Sequence, residues 1–365
     1  MENLNNTIFV KRKTPRQNLW DYFKGEPIKK LKTQTIKKSF SPRINKELVS
    51  YTKKKAKKFR VTKKNLLKLN IGSRRKPKFV KYDSKKAQKF LLNNLKSIKQ
   101  IECSQVIPPK QVQSNCWFNT FFVTFFISDK GRKFFKFFRQ LMIKGETINK
   151  ISIPRKLKES FFILNIAIEA AQNHILSDLA YNFNTNLLIK KIHNIINHNK
   201  NFAHHVPDVN ESGNPLDYYL TIINYLNANS SLLIVPLTIK KSAKGKNIEL
   251  LLEKSNIINK PDVIILELSD EESRNVKDKE IDLKIFDSLY KLDAAIIRDI
   301  SQEHFCSLLT CNNNGYAFDG ASHQRLREMD WKNQININKE WGFPGHDLHW
   351  NFKLGYQMLF YYRQK

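Results

Sequence analysis

The chain has 365 residues, 41% of them apolar and 12% aromatic, enough for a sizeable core in one large domain or two ordinary ones. Its net charge of +31 is unevenly spread: residues 1–99 hold 31 Lys/Arg against 5 Asp/Glu, a balance of +26, while the other 266 residues hold 33 against 28, only +5. Four cysteines without a Cys-x-x-Cys pair exclude a disulfide framework and a structural zinc site of recognisable spacing, so reduced thiols are expected.

The chain opens with "MENLNNTIFV", which has neither the charged start nor the apolar stretch of a signal peptide. Its most apolar run, "CWFNTFFVTFFI", is too short and interrupted to cross a bilayer. A soluble intracellular protein with no membrane insertion is expected. Within residues 1–99, clusters such as "KKKAKKFRVTKK" (53–64) and "SRRKPK" (73–78) repel themselves and offer few aliphatic side chains to offset ordering entropy. This segment reads as a flexible or extended basic arm, suited to nucleic acid or another polyanion because lysines beside phosphates release counterions without a defined fold.

"VIPPKQVQSN" (106–115) reads as a loop, which puts a domain boundary near 95–105 and a second domain over 100–365. Segment 117–143 has helical length and no proline, and 155–200 places apolar residues at three- and four-residue spacing. "LDYYLTIINYLN" (216–227) is a further amphipathic helix. Strand-like runs follow at 231–239, 262–268, 292–300, 304–310 and 316–319. Helices first and strands afterwards imply an α+β domain. The aromatic-rich region 326–365 either closes the core or exposes a docking surface, and the core is the expectation because exposed aromatic clusters without a partner are uncommon.

Cys116 stands where loop becomes helix, where free N–H groups and partial positive charge favour a thiolate. The competing assignment is an inert buried cysteine. Among nine histidines, His304 opens a strand, "HFCSLLT", followed by a polar turn and "YAFDG". A turn centred on Cys311 and Asn312 sets His304 directly across from Asp319, whose carboxylate could fix the imidazole tautomer; a turn centred on "NNNG" misaligns them. Gln111, Gln113 and Asn115 are candidate amide donors to an oxyanion beside the Cys116 backbone N–H. Cys306 shares a strand face with His304 and reads as core, as do Cys103 and Cys311. His346 with His349, and His204 with His205, lack a third ligand at a metal-binding spacing, so neither metal nor other cofactor is expected.

"CWFNT" resembles the Cys-aromatic-x-Asn-Ser/Thr box of ubiquitin-specific proteases, a group of papain-like cysteine peptidases. "GNPLDYYLTIINYL" is similar to the family's Asp-x-x-Glu-Phe-Leu helix, and "KPDVIILEL" to its Leu-Pro-x-x-Leu strand. "YKLDAAIIRDISQEHFCSLLTCNNNGYAFDGAS" is similar to its closing Tyr-x-Leu, Gly-His-Tyr and Phe-Asp segment. Over residues 100–325 the resemblance implies a papain-like fold, with a helical N-terminal half and an antiparallel C-terminal sheet. It implies a deubiquitinase-like thiol peptidase with Cys116 as nucleophile, His304 as base, Asp319 as its orienter and Gln111 as oxyanion donor.

Glu303, Phe305 and Gln111 depart from the family's glycine, tyrosine and asparagine, and its zinc-binding fingers are missing. Expected partners are a protein substrate, ubiquitin or ubiquitin-conjugated, and a polyanion held by residues 1–99. The alternatives are a viral-type precursor-processing cysteine protease and a catalytically inactive nucleic-acid-binding structural protein. The abundance of Asn, Lys and Ile suits an AT-rich genome such as that of a large cytoplasmic DNA virus, with host cytoplasm or virion core as the location.

Overall fold

The computed structural model describes residues 52–364, apart from 56, 58, 63–64, 74, 99–100, 113, 173–176, 197–207, 210–214, 228–233, 241, 258–259, 277, 302–303, 323–324 and 346. The expected arm therefore lies outside the described residues as far as residue 51. The rest of it does not behave as an arm. A short strand β1 (Thr52–Lys55) pairs in parallel with β5 (Ser97–Ile98), and between them β2 (Arg60–Thr62), β3 (Asn65–Asn70) and β4 (Phe79–Lys81) form an antiparallel sheet followed by helix α1 (Lys85–Lys96).

Ser84 caps α1 by accepting the Ala87 N–H, and Ala87, Leu91 and Leu95 fall on one helix face at four-residue spacing. Together with Phe59 and Leu69 they pack against Ile143, Phe162, Ile166 and Ala170 of the following helices. The expected boundary near residue 99 is thus corrected: the fold includes residues 57–97. Average composition concealed this because the lysines occupy alternate outward positions, while the apolar residues between them keep the period of strand or helix.

Helix α2 (Cys116–Phe126) is buried along its whole length, and α3 (Asp129–Lys144) follows after a break at Ile127 and Ser128. One helix was expected over 117–143. Ser128 interrupts it by accepting the Gly131 N–H while its hydroxyl donates to the Thr124 carbonyl, and Asp293 accepts the Lys130 N–H at 2.7 Å. Gly131 is required there, since an added Cβ would stand 2.3 Å from the Thr124 oxygen. The helical layer is completed by α4 (Arg155–Ala171), α5 (Ser177–Asn182), α6 (Thr185–Ile196) and α7 (Pro215–Asn227). Among the described residues no helix is long and apolar enough to cross a membrane.

The sheet comprises β6 (Ile234–Thr238), β7 (Val263–Leu268), β8 (Asp282–Ile285), β9 (Ser288–Arg298), β10 (Phe305–Cys311), β11 (Asn314–Phe318), β12 (Arg327–Glu328) and β15 (Gln357–Arg363). Its order is β12-β11-β10-β9-β15-β7-β6, with β8 also paired to β9. β6 and β7 run parallel around α8 (Gly245–Lys254), and the other pairs are antiparallel. Pro236, which cannot donate to a ladder, lies on the edge strand β6.

One sheet face packs on α2, α3 and α7. The other packs on α8, on α10 (Trp331–Gln334) and on β13 (Glu340–Gly342) and β14 (His349–Asn351), which bring in Trp350 and Phe352; α9 (Asp270–Asn275) follows β7. The aromatic residues of region 326–365 thus close the core, Trp341 only partly, and the last strand lies between β9 and β7. The described architecture is mixed helix and sheet.

Cys103 and Cys311 form a disulfide across 208 residues, with Cα atoms 6.1 Å apart, which corrects the expectation of four reduced thiols. No sequence spacing could signal it, because only the packed fold brings the segment before α2 to the β10–β11 turn. Cys116 and Cys306 are free and buried.

Candidate active site

Cys116 is the first residue of α2, so its backbone N–H has no partner within the helix. The loop before it is clamped by amides. Asn115 Oδ1 accepts the Val112 N–H at 2.9 Å and Asn115 Nδ2 donates to Thr185 Oγ1 at 2.8 Å. Thr185 in turn donates to Asn119 Oδ1, and Asn119 Nδ2 donates to the Lys110 carbonyl. These bonds hold the Asn115 carboxamide toward Val112 and Thr185 and use one of its two N–H groups. Gln113 lies outside the described residues.

Gln111 is held by its backbone, whose N–H donates to the Gly320 carbonyl at 3.0 Å. Its side-chain Oε1 is buried without a hydrogen-bond partner among the described residues. Gly320 allows this approach, since a Cβ there would lie 3.3 Å from the Gln111 Cβ. The loop leading to Cys116 is therefore fastened to the residue after Asp319.

The β10–β11 hairpin turns on Asn312 and Asn313, both at positive φ, as a two-residue turn needs. Its pairs run from Cys311↔Asn314 to Ser307↔Phe318. One further step sets Asp319 opposite Cys306, so the direct His304–Asp319 alignment is corrected by two residues. A two-residue shift keeps both side chains on one face as diagonal neighbours. His304 Nε2 and Asp319 Oδ1 are nevertheless 2.5 Å apart.

Two further features aim the imidazole. Asp299 Oδ1 accepts the His304 N–H at 2.6 Å while the Asp299 N–H donates to the His304 carbonyl at 2.8 Å. The Trp350 ring lies 6.1 Å from that of His304. Helix α2 is fixed against the same strand by Thr124 and Ser307, whose hydroxyls meet at 2.9 Å. The far end of the hairpin is tied down as well, by Asp129 accepting the N–H groups of Asn312 and Asn313 and by the disulfide.

His304 is 5% exposed. Burial alone would lower its pKa, but hydrogen bonds with Asp319 and Cys116 and the charges of both outweigh this and raise it to about 10. For Asp319, burial works upward, yet the bond and charge of His304 and the N–H groups of Ala321 and Ser322 hold the carboxyl below its ordinary value. Asp319 is thus hydrogen-bonded to His304, and Cys116, at the start of α2, is close enough to the same imidazole to act on its charge.

Cys306, two residues after His304 on the same strand face, is packed in the core with Leu308 and Ala317, and burial pushes its thiol well up. Among the described residues no group of three His, Cys, Asp or Glu could hold a metal ion. His349 is exposed, while His204, His205, His346 and Glu303 lie outside the described residues.

Asp299, Trp350 and the Asn119–Thr185 pair were not singled out from sequence. "DIS" (299–301) did carry a signal: Asp299 Oδ2 accepts the Ser301 N–H, the self-bonding typical of an aspartate turn. Trp350 and Thr185 offered none, Trp350 being 46 residues from His304 and Thr185 being 66 and 70 residues from Asn119 and Asn115.

No protein-family model and no curated protein matches the chain. Solved structures do. A chain of the SAGA Ubp8/Sgf11/Sus1/Sgf73 DUB module bound to ubiquitin aldehyde is 9% identical, with 73% of this chain and 71% of that chain covered and a TM-score of 0.43. A second structure of the SAGA Ubp8/Sgf11/Sus1/Sgf73 DUB module matches at 10% identity, 73% and 70% coverage and a TM-score of 0.37. An essential yeast splicing factor matches at 11% identity, 72% and 70% coverage and a TM-score of 0.35.

Proposed function

We propose that this chain is a thiol-dependent peptidase of papain-like, deubiquitinase-like type, hydrolysing an amide or isopeptide bond. The observation that supports this is the His304–Asp319 hydrogen bond with Cys116 acting on the same imidazole, the three residues coming from segments whose sequence boxes occur in the order of ubiquitin-specific proteases. Its catalytic unit takes in residues 57–97 together with the domain that follows.

In this mechanism Cys116 Sγ, as thiolate beside the His304 imidazolium, attacks the substrate carbonyl carbon. The carbonyl π pair moves onto oxygen, where the Cys116 N–H and the Gln111 carboxamide meet it. Collapse breaks the C–N bond, His304 gives its proton to the leaving amine, and a thioester remains. Water then attacks the thioester while His304 takes its proton. The second collapse releases a carboxylic acid and regenerates the Cys116 thiolate. Asp319 keeps Nε2 protonated throughout, so that Nδ1 faces the sulfur.

The test is intact-mass labelling of wild type, Cys116→Ala and His304→Ala with a ubiquitin C-terminal electrophile and, in parallel, a small alkylator. A ubiquitin adduct confined to Cys116 is the expected result. Fast, His304-dependent alkylation without a ubiquitin adduct would move the substrate class to a processed protein precursor. Reaction of Cys116 no faster than that of Cys306 would overturn the peptidase itself.

A further inference from the structure

The small sheet at the N-terminal side of the molecule has two chemically opposite faces. Cross-strand pairing sets Val61, Leu69 and Val80 in one row and Lys68 opposite Lys81 in the next. A third row runs Arg60, Asn70, Phe79. The Val61–Leu69–Val80 row packs inward with Leu67 and Tyr82 on the core shared with α3 and α4. By the alternation of a strand, Arg60, Lys68, Phe79 and Lys81 therefore share the outward face.

Two features of that face do not serve the fold. Lys68 and Lys81 are like charges in directly facing positions, which destabilises a sheet in the absence of a counter-charge. Phe79 leaves 52% of its surface in water, beside lysines and with no aromatic partner among the described contacts. Every described lysine and arginine from 57 to 89 is exposed, including Arg75, Lys76 and Lys78 in the turn before β4, and Asp83 is the one acid in that stretch of sequence. A half-exposed aromatic ring among exposed cations fits a polyanion that also carries planar bases. Single-stranded nucleic acid has both.

We infer that the outward face of β2–β3–β4 binds single-stranded nucleic acid, with a base stacked on Phe79 and backbone phosphates on Lys68, Lys81 and Arg60. This goes beyond the peptidase and stands without it. A duplex keeps its bases inside the stack and could use the lysines but not Phe79, so the aromatic residue separates the two.

The experiment is fluorescence anisotropy of the full chain with labelled oligothymidylate and oligouridylate of about 15 nucleotides and a duplex of equal length, over a salt series. Phe79→Ala is expected to weaken single-strand binding about tenfold with the salt slope unchanged, the loss of one base–aromatic stack, and Phe79→Tyr to restore it. Lys68→Gln with Lys81→Gln is expected to reduce the slope of log K against log salt by about 1.4, at ~0.7 per phosphate contact. All three residues are on the outer face, so thermal unfolding should be unchanged. Wild-type affinity in Phe79→Ala, or a duplex bound as tightly as the single strand, overturns the inference and leaves the face as a solvated or general polyanion surface.

Discussion

His304 donates through Nε2 to Asp319 Oδ1 at 2.5 Å although the hairpin that carries them is two residues out of the register that would set them face to face. Both lie just beyond the ends of their strands, His304 before Phe305 and Asp319 after Phe318, where the backbone is free to bend. The Asp299 turn on one side and the Ala321 and Ser322 N–H groups on the other set where each bends to.

Asp319→Asn preserves the shape of the site but removes the charge that holds the imidazolium. Peptidase kcat/KM should fall on the order of 10²–10⁴-fold, with the unfolding transition little changed. A fall in activity matched by a fall in thermal midpoint would instead make Asp319 a structural residue.

The alkaline limb of activity should lie near pH 10, where His304 gives up its proton. Because its folded pKa is raised, the stability it contributes is fully present below about pH 6.5 and is lost as pH rises through about 10. Asp319 is the opposite case: its contribution is present above its ordinary carboxylate value and is lost as pH falls through its lowered one. In Asp319→Asn the alkaline limb should move to lower pH, which a pH profile of kcat/KM will read directly.

Gln111→Ala should lower kcat about 10²-fold with little change in KM, because an oxyanion donor acts in the transition state and hardly in the ground state. Gly320→Val should move activity in the same direction, since its side chain would enter the space of Gln111. Equal kcat in Gln111→Ala and wild type would remove Gln111 from the mechanism.

Cys103→Ser, or reduction of the wild type, should lower stability by ~2–5 kcal/mol in urea unfolding, as expected for a bridge that closes a long loop in the unfolded chain. Mass spectrometry under non-reducing conditions should find two alkylatable thiols after denaturation, Cys116 and Cys306, and four after reduction.

Leu91→Ala should destabilise the whole molecule by ~2–5 kcal/mol in a single transition, because Leu91 shares a core with Ile143, Phe162 and Ile166. Deletion of residues 1–99 should give a protein that aggregates. A soluble and fully stable deletion product would restore the boundary expected from composition.

Local patterns carried much of the architecture. The apolar spacing of α4, α6 and α7, the strand-like runs that became β7, β9, β10 and β11, and the loop-to-helix step at Cys116 depend on neighbours within a turn or a strand, where periodicity is a direct record of which side is buried. The boxes around Cys116, His304 and Asp319 were likewise legible as short local strings, and their joint catalytic role is the proposal.

Tertiary structure decided the remainder. It folded residues 57–97 onto α3 and α4, paired Cys103 with Cys311, inserted β15 between β9 and β7, and engaged Asn115 with Thr185 while leaving Gln111 Oε1 without a partner among the described residues. Each of these is a contact between segments tens to hundreds of residues apart. Its energy depends on which surfaces the packed chain brings together, and no local spacing records that.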